Sequence, residues 1–297
     1  MKSCRLWRDT ILSDSGKFWR WARLRVDLDQ YPSQTGDLLT SRMVYIVPEI
    51  RISPRIGLDI VESLLEVVIQ GMSLQLKKIT VCYSSGSLDQ LSPDILARAA
   101  VKVERLKLLS MPSSVQLEAI LISIAGSQDS QLRKLTCSGQ SRHISGMDPE
   151  ILSRALVKLE TVGDLFLWVR LSPGQYLALF SRISKSPNLR MTELQLYCNV
   201  SMVPLEMFTG ALSRLEKVVF RPLGEVTPSP SQVESLFLML FSHQVEAGGS
   251  TLTLKQLMFY GTDLISVSPE VLVGAIKRLE RVEFFSSSSR SQQSSTC

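Results

Sequence analysis

Side chains able to do chemistry are sparse in this sequence, and none stands at a spacing that a reaction needs. The two histidines, His143 and His243, lie a hundred residues apart. Neither has a His, Cys or Asp at metal-ligand spacing, so no zinc or iron site is expected. The five cysteines, Cys4, Cys82, Cys137, Cys198 and Cys297, are odd in number and form no C-x-x-C pair. Cys82, Cys137 and Cys198 read as reduced thiols in strands. Glycine-rich phosphate loops, H-E-x-x-H and the G-x-S-x-G elbow are absent, and Gly248–Gly249 reads as a turn. Asp148 and Glu150 are a carboxylate pair, but they stand at a helix start, where negative charge meets the macrodipole. Glu104, Glu160, Glu216 and Glu280 recur with the chain's own period, which marks architecture before it marks catalysis. The expectation is a protein with no cofactor, no metal and no enzymatic activity.

That period organises the chain. PDILARAAVKVERL (93–106), PEILSRALVKLETV (149–162), LEMFTGALSRLEKV (205–218) and PEVLVGAIKRLERV (269–282) are variants of one segment. Their glutamates are spaced by 56, 56 and 64 residues, the last interval lengthened by loop residues around Pro228–Pro230 and Gly248–Gly249. Such loops absorb length change readily. Between these segments lie further helix-like stretches, SSVQLEAILISIAGS, SPGQYLALFSRISKS and SPSQVESLFLMLFSH. The elementary unit is therefore one helix and one strand. Pro93, Pro149, Pro173, Pro230 and Pro269 stand at helix starts, where fixed φ and a missing N–H cost nothing. Ile95, Leu96 and Ala99, and likewise Ile151, Leu152, Ala155 and Leu156, give each helix one apolar face.

The strands share a second pattern: apolar, two polar, apolar, one variable, apolar. It occurs ten times, as Trp21–Leu24–Val26, Val47–Ile50–Ile52, Leu76–Ile79–Val81, Val103–Leu106–Leu108, Leu132–Leu135–Cys137, Val162–Leu165–Leu167, Met191–Leu194–Leu196, Leu215–Val218–Phe220, Leu254–Leu257–Phe259 and Leu279–Val282–Phe284. This resembles the L-x-x-L-x-L of leucine-rich repeats, whose period is ~20–29 residues. The resemblance implies an α/β solenoid shaped as a horseshoe, with a parallel sheet on the concave side and helices outside. Such units cannot bury their apolar faces alone and must stack. A doubly wound α/β domain shows the same alternation but does not call for a recurring 56-residue signature. The expected organisation is a cap at 1–20, the solenoid at 21–285 and a Ser-rich, disordered tail at 286–297.

Strand alternation then sorts the remaining charged and aromatic residues. The outward sites of the early strands include Arg23, Arg25, Glu49, Arg51, Lys78, Arg105, Lys107 and Lys134, a mostly basic row. Those of the later strands include Phe166, Trp168, Tyr197, Met258 and Tyr260, an aromatic row with a methionine. Exposed aromatics on a rigid sheet are interface anchors, and a basic stripe steers acidic partners. A protein or peptide ligand on the concave face is the favoured expectation. Bases stacking on the aromatics are the alternative.

The N-terminal residues 3–26, SCRLWRDTILSDSGKFWRWARLRV, resemble the final third of an F-box domain. There a helix bearing Cys-x-x-Trp leads through a Ser-Asp turn to an aromatic-Trp pair and into the first repeat. The matching residues are Cys4, Trp7, Leu12, Asp14, Phe18, Trp19 and Leu24. An F-box followed by leucine-rich repeats implies the substrate-recognition subunit of a cullin-RING ubiquitin ligase. The alternative is a free-standing repeat module for protein–protein contact. The first F-box helices, which carry most adaptor contacts in the family, are not among these residues, so weak adaptor binding is expected. Trp7, Trp19 and Trp21 also suit a cap over an open solenoid end. Net charge is +5 without polybasic runs, and the densest apolar run, Leu236–Phe241, is far short of the ~20 residues of a membrane span. With no signal-like start, a cytoplasmic or nuclear location is expected.

Overall fold

Proline or a hydroxyl or carboxylate cap stands at the start of most helices, and the strands follow the apolar pattern. The computed structural model describes residues 25–27, 48–52, 54, 56–70, 76–83, 88–110, 112–137, 142–143, 146–161, 169–196, 200–220, 228–242, 253–260 and 267–285. The chain divides into two compact units, Met1–Arg142 and His143–Cys297. In the first, β1 (Arg25–Asp27), β2 (Glu49–Ile52), α1 (Leu58–Ile69), β3 (Lys78–Val81), α2 (Pro93–Ala100), β4 (Arg105–Leu108), α3 (Ser114–Gly126) and β5 (Lys134–Cys137) follow one another, and the short β6 (Arg142–His143) falls at the boundary in sequence. The second holds α4 (Pro149–Leu156), the short β7 (Val169–Arg170), α5 (Pro173–Lys185), β8 (Glu193–Leu196), α6 (Leu205–Leu212), β9 (Lys217–Phe220), α7 (Pro230–Ser242), β10 (Gln256–Tyr260), α8 (Pro269–Ile276) and β11 (Arg281–Phe285).

Each unit carries a parallel sheet in which every strand lies beside the next in the chain. The first runs β1-β2-β3-β4-β5 and the second β8-β9-β10-β11. Neither has the reversal of strand order found in doubly wound domains. Helices follow suit: α1 packs on α2 and α2 on α3, while α4, α5, α6, α7 and α8 pack in series. Nine of the ten expected strands are present. The sixth, at Val162–Leu167, lies outside the described residues apart from its approach, where Thr161 bridges Glu193 in the parallel sense.

Register explains why one apolar pattern serves every strand. Ile50, Ile79, Leu106 and Leu135 are direct cross-strand partners, as are Ile52, Val81, Leu108 and Cys137, and all eight are buried. In the second unit Leu194, Val218 and Leu257 form the matching row. Phenylalanine replaces the smaller residues along the next row. Phe220 stacks on Phe259 at 5.1 Å and Phe259 on Phe284 at 5.8 Å, ring centre to ring centre. Stacked aromatic pairs at this separation add to the energy of burial.

The repeated glutamates act through their main chains. The Glu104 carbonyl accepts from the N–H groups of Arg133 and Lys134, that of Glu160 from Thr192 and Glu193, and that of Glu216 from Lys255 and Gln256. One carbonyl thus holds two successive amides and fixes where the following strand begins. Their side chains make exposed pairs, Glu104 with Lys77 at 3.8 Å and Glu216 with Lys255 at 3.6 Å, which contribute little. Asp148 caps α4, its carboxylate accepting from the N–H groups of Glu150 and Ile151. Its partner in the sequence reading, Glu150, pairs instead with Arg182 on α5.

Cys137 ends β5 fully buried, and burial pushes its thiol up to about 12. Cys82, just beyond β3, is partly exposed and accepts a hydrogen bond from Arg51 Nε at 3.1 Å. Because the thiolate is the nucleophile, iodoacetamide at pH 8 should modify Cys82 while Cys137 stays unmodified until the protein unfolds. Peptide mass spectrometry after native labelling checks this, and early modification of Cys137 would contradict the assigned packing.

Candidate functional site

The face of each sheet opposite its buried apolar row is built from two cross-strand lines of side chains. In the first unit, Arg25, Glu49, Lys78, Arg105 and Lys134 are successive partners, as are Asp27, Arg51, Thr80, Lys107 and Thr136. Adjacent parallel strands set such partners about 5 Å apart. The structure divides this row into two electrostatic parts. Glu49 stands between Arg25 and Lys78 in the line, and its carboxylate binds Lys78 Nζ at 2.8 Å. Arg51 is turned toward Cys82. The Lys78 charge is therefore paired across β2 and β3.

Positive charge is concentrated at β4 and β5. Arg105, Lys107 and Lys134 are exposed. Arg105 and Lys134 are direct partners with no acid between them, and Lys107 is flanked by the short side chains of Thr80 and Thr136. Arg105 and Lys107 have no ion-pair partner among the described residues. Exposed positive charge gathered in this way on adjacent strands attracts negative charge.

The later sheet is different. Glu193, Lys217, Gln256 and Arg281 form one line and Gln195, Val219, Met258 and Glu283 the other. Lys217 Nζ lies 2.7 Å from Glu193, and Arg281 pairs with Glu283 on its own strand. Met258, expected as an exposed anchor, is only 8% exposed and lies beside the buried Val219. An apolar residue flanked by another on the same face loses its access to solvent. Tyr260 ends β10, in register with Phe285. Arg23, Phe166, Trp168 and Tyr197, and the cap residues Cys4, Trp7, Leu12, Phe18 and Trp19, lie outside the described residues. Among the described residues no group of His, Cys, Asp or Glu is placed to hold a metal ion, and no helix is long and apolar enough to cross a membrane.

Three buried glutamines escaped the sequence reading. Gln116, Gln175 and Gln232 occupy the third position of α3, α5 and α7 and are at most 3% exposed. Each accepts from the N–H of a serine cap, Ser113, Ser172 or Ser229, whose hydroxyl accepts from the glutamine N–H in return. This is a capping box. The amide nitrogen then reaches to an earlier turn: Gln116 donates to Leu88 and Leu91, Gln175 to Met147, and Gln232 to Val200 and Val203. The signal was present as S-x-x-Q at 113–116, 172–175 and 229–232. Its significance depends on a turn that is 25 to 32 residues away.

Elsewhere, partial burial and repulsion from Arg154 and Arg190 hold Lys158 below the ordinary lysine range. No family model matches the chain, and no curated protein or solved structure matches it either.

Proposed function

We propose that the chain is a protein-binding scaffold, built as a leucine-rich-repeat solenoid, whose docking surface is the open sheet face centred on β4 and β5. The observation that carries this reading is the group of Arg105, Lys107 and Lys134, exposed on adjacent strands in register. Sequential strand order and serial helix packing within each unit support the repeat architecture. The favoured ligand is a protein or peptide segment rich in Asp or Glu, laid along strands whose cations attract it before contact. Substrate recognition in an F-box-type ubiquitin ligase is the biological role suggested by the resemblance of residues 3–26. Reading the coding sequence upstream of Met1 distinguishes that role from a free-standing repeat module: an in-frame helix pair with a Leu-Pro start supports the ligase link.

The docking surface is tested with a fluorescein-labelled Glu-rich peptide and the double substitution Arg105→Glu, Lys107→Glu. Association should slow by at least about tenfold at low salt, and its salt dependence should flatten, because steering acts mainly on the on-rate and is screened over about 10 Å at 0.1 M. An association rate and salt slope unchanged by the double substitution would remove these strands from the binding surface.

A further inference from the structure

The second sheet ends in an edge with a specific shape and charge pattern. Its other edge, β8, is met by Thr161 through the parallel bridge to Glu193. β11 pairs with β10 and with no other described strand. Arg281 donates its N–H to Lys255 next to β10. Residues of a parallel strand alternate in the side to which their amide groups point, so the N–H and C=O of Val282 and Phe284 face away from β10. No described strand meets these donors and acceptors, and such a row is a template for another strand.

Among the described residues the apolar surroundings of this edge are also incomplete. Phe284 is 44% exposed although it stacks on the buried Phe259, their rings parallel within 2°. Helix α8 buries only Ala275, whereas α6, its counterpart in the preceding long period, buries Phe208, Ala211 and Leu212. Residues 286–297 contain no Leu, Ile, Val, Met or aromatic residue.

We propose that β11 pairs antiparallel with β11 of a second copy of the chain, about a two-fold axis at Val282. A two-fold axis makes the same patch serve both copies, so the sequence Arg281-Val282-Glu283 is tested against its own reverse. Centring on Val282 puts Arg281 opposite the partner's Glu283 and Glu283 opposite the partner's Arg281. Within one copy these two side chains already pair along the strand. The dimer extends that pair into a ring of four alternating charges. On the other face Val282 meets the partner's Val282, and Phe284 reaches it diagonally, a distance aromatic side chains span. Shifting the axis to Glu283 would set two carboxylates against each other, and shifting by half a step would turn Val282 and Phe284 to the polar face. Charge and alternation therefore select one register.

The test is sedimentation equilibrium of the full chain between about 1 and 200 µM, the range for an interface below standard size. The expected average mass rises with concentration from 33.2 kDa toward twice that value. Arg281→Glu should raise the dimer Kd at least about tenfold, because two attractive pairs become repulsive. The exchange Arg281→Glu, Glu283→Arg should restore it to within about threefold, since the ring of charges is rebuilt with the signs reversed. Val282→Pro removes an outward N–H without taking a bond from β10, and should abolish the dimer while the far-ultraviolet circular dichroism is kept. A monomer at every concentration, a dimer indifferent to Arg281→Glu and Val282→Pro, or a charge exchange that fails to restore pairing each overturns the proposal.

Discussion

Replacing Leu257 by alanine is expected to lower the unfolding free energy by about 2–5 kcal/mol, the range for a leucine removed from a core that cannot fully collapse. Leu257 is fully buried at the centre of β10. Its cross-strand partners are Val218 on one side and Val282 on the other. Both belong to strands held by continuous backbone ladders, so neither can move in to fill the space without breaking hydrogen bonds. The neighbouring row, Phe220, Phe259 and Phe284, is stacked and equally unable to shift. Leu194, equally buried at the corresponding position of β8 and paired with Val218, should respond in the same range. Urea denaturation followed by circular dichroism measures both. A loss under about 1 kcal/mol at both sites would contradict the strand register.

Gln232→Leu is expected to cost about 2–4 kcal/mol although the side chain keeps nearly the same size. The carboxamide accepts from the Ser229 N–H at 3.0 Å and donates to the Val200 and Val203 carbonyls at 2.7 and 2.9 Å. Leucine fills the space and serves none of these groups. A buried polar group left without its partner costs roughly 1–3 kcal/mol, which outweighs the gain from a more apolar side chain. Glu234→Gln, exposed in the next turn of the same helix, is the control and should change little. Gln232→Glu separates hydrogen bonding from shape. It keeps the acceptor for Ser229 but turns a carboxylate toward two carbonyls. That environment raises the folded-state pKa of the new carboxyl above its unfolded value of about 4.3. The sign follows from linkage: the charge-related loss is absent below the unfolded value and grows as pH rises through the folded one. Gln232→Glu should therefore be closest to wild type in acid and weakest at neutral pH. A cost for Gln232→Leu under about 1 kcal/mol would show that the amide is dispensable.

Local spacing located the helices of the recurring segments and the apolar row of each long-sheet strand, but not α1 at Leu58–Ile69. Period-two and helical spacing depend on neighbours within one element, and those are adjacent in the chain. Ile79, Leu106 and Leu135 were legible as inward residues, and Pro93, Pro149, Pro173 and Pro269 as helix starts, for that reason; each of these prolines lies in the first turn of its helix. The tertiary structure alone decided which outward residues meet. Register sets Glu49 against Lys78 and Glu193 against Lys217, 29 and 24 residues away in sequence. It leaves Arg105 and Lys107 of β4 without an ion-pair partner among the described residues. The same packing buries Met258 beside Val219, because a side chain's access to solvent depends on what stands on the next strand. The glutamines show the same division. Their capping role could be read from a serine three residues earlier, but their second role required the fold to bring the turns at Leu88–Leu91 and Val200–Val203 within reach of the amide. Local pattern fixes direction along one element; the identity of a cross-strand or cross-turn partner is fixed only when separate elements pack.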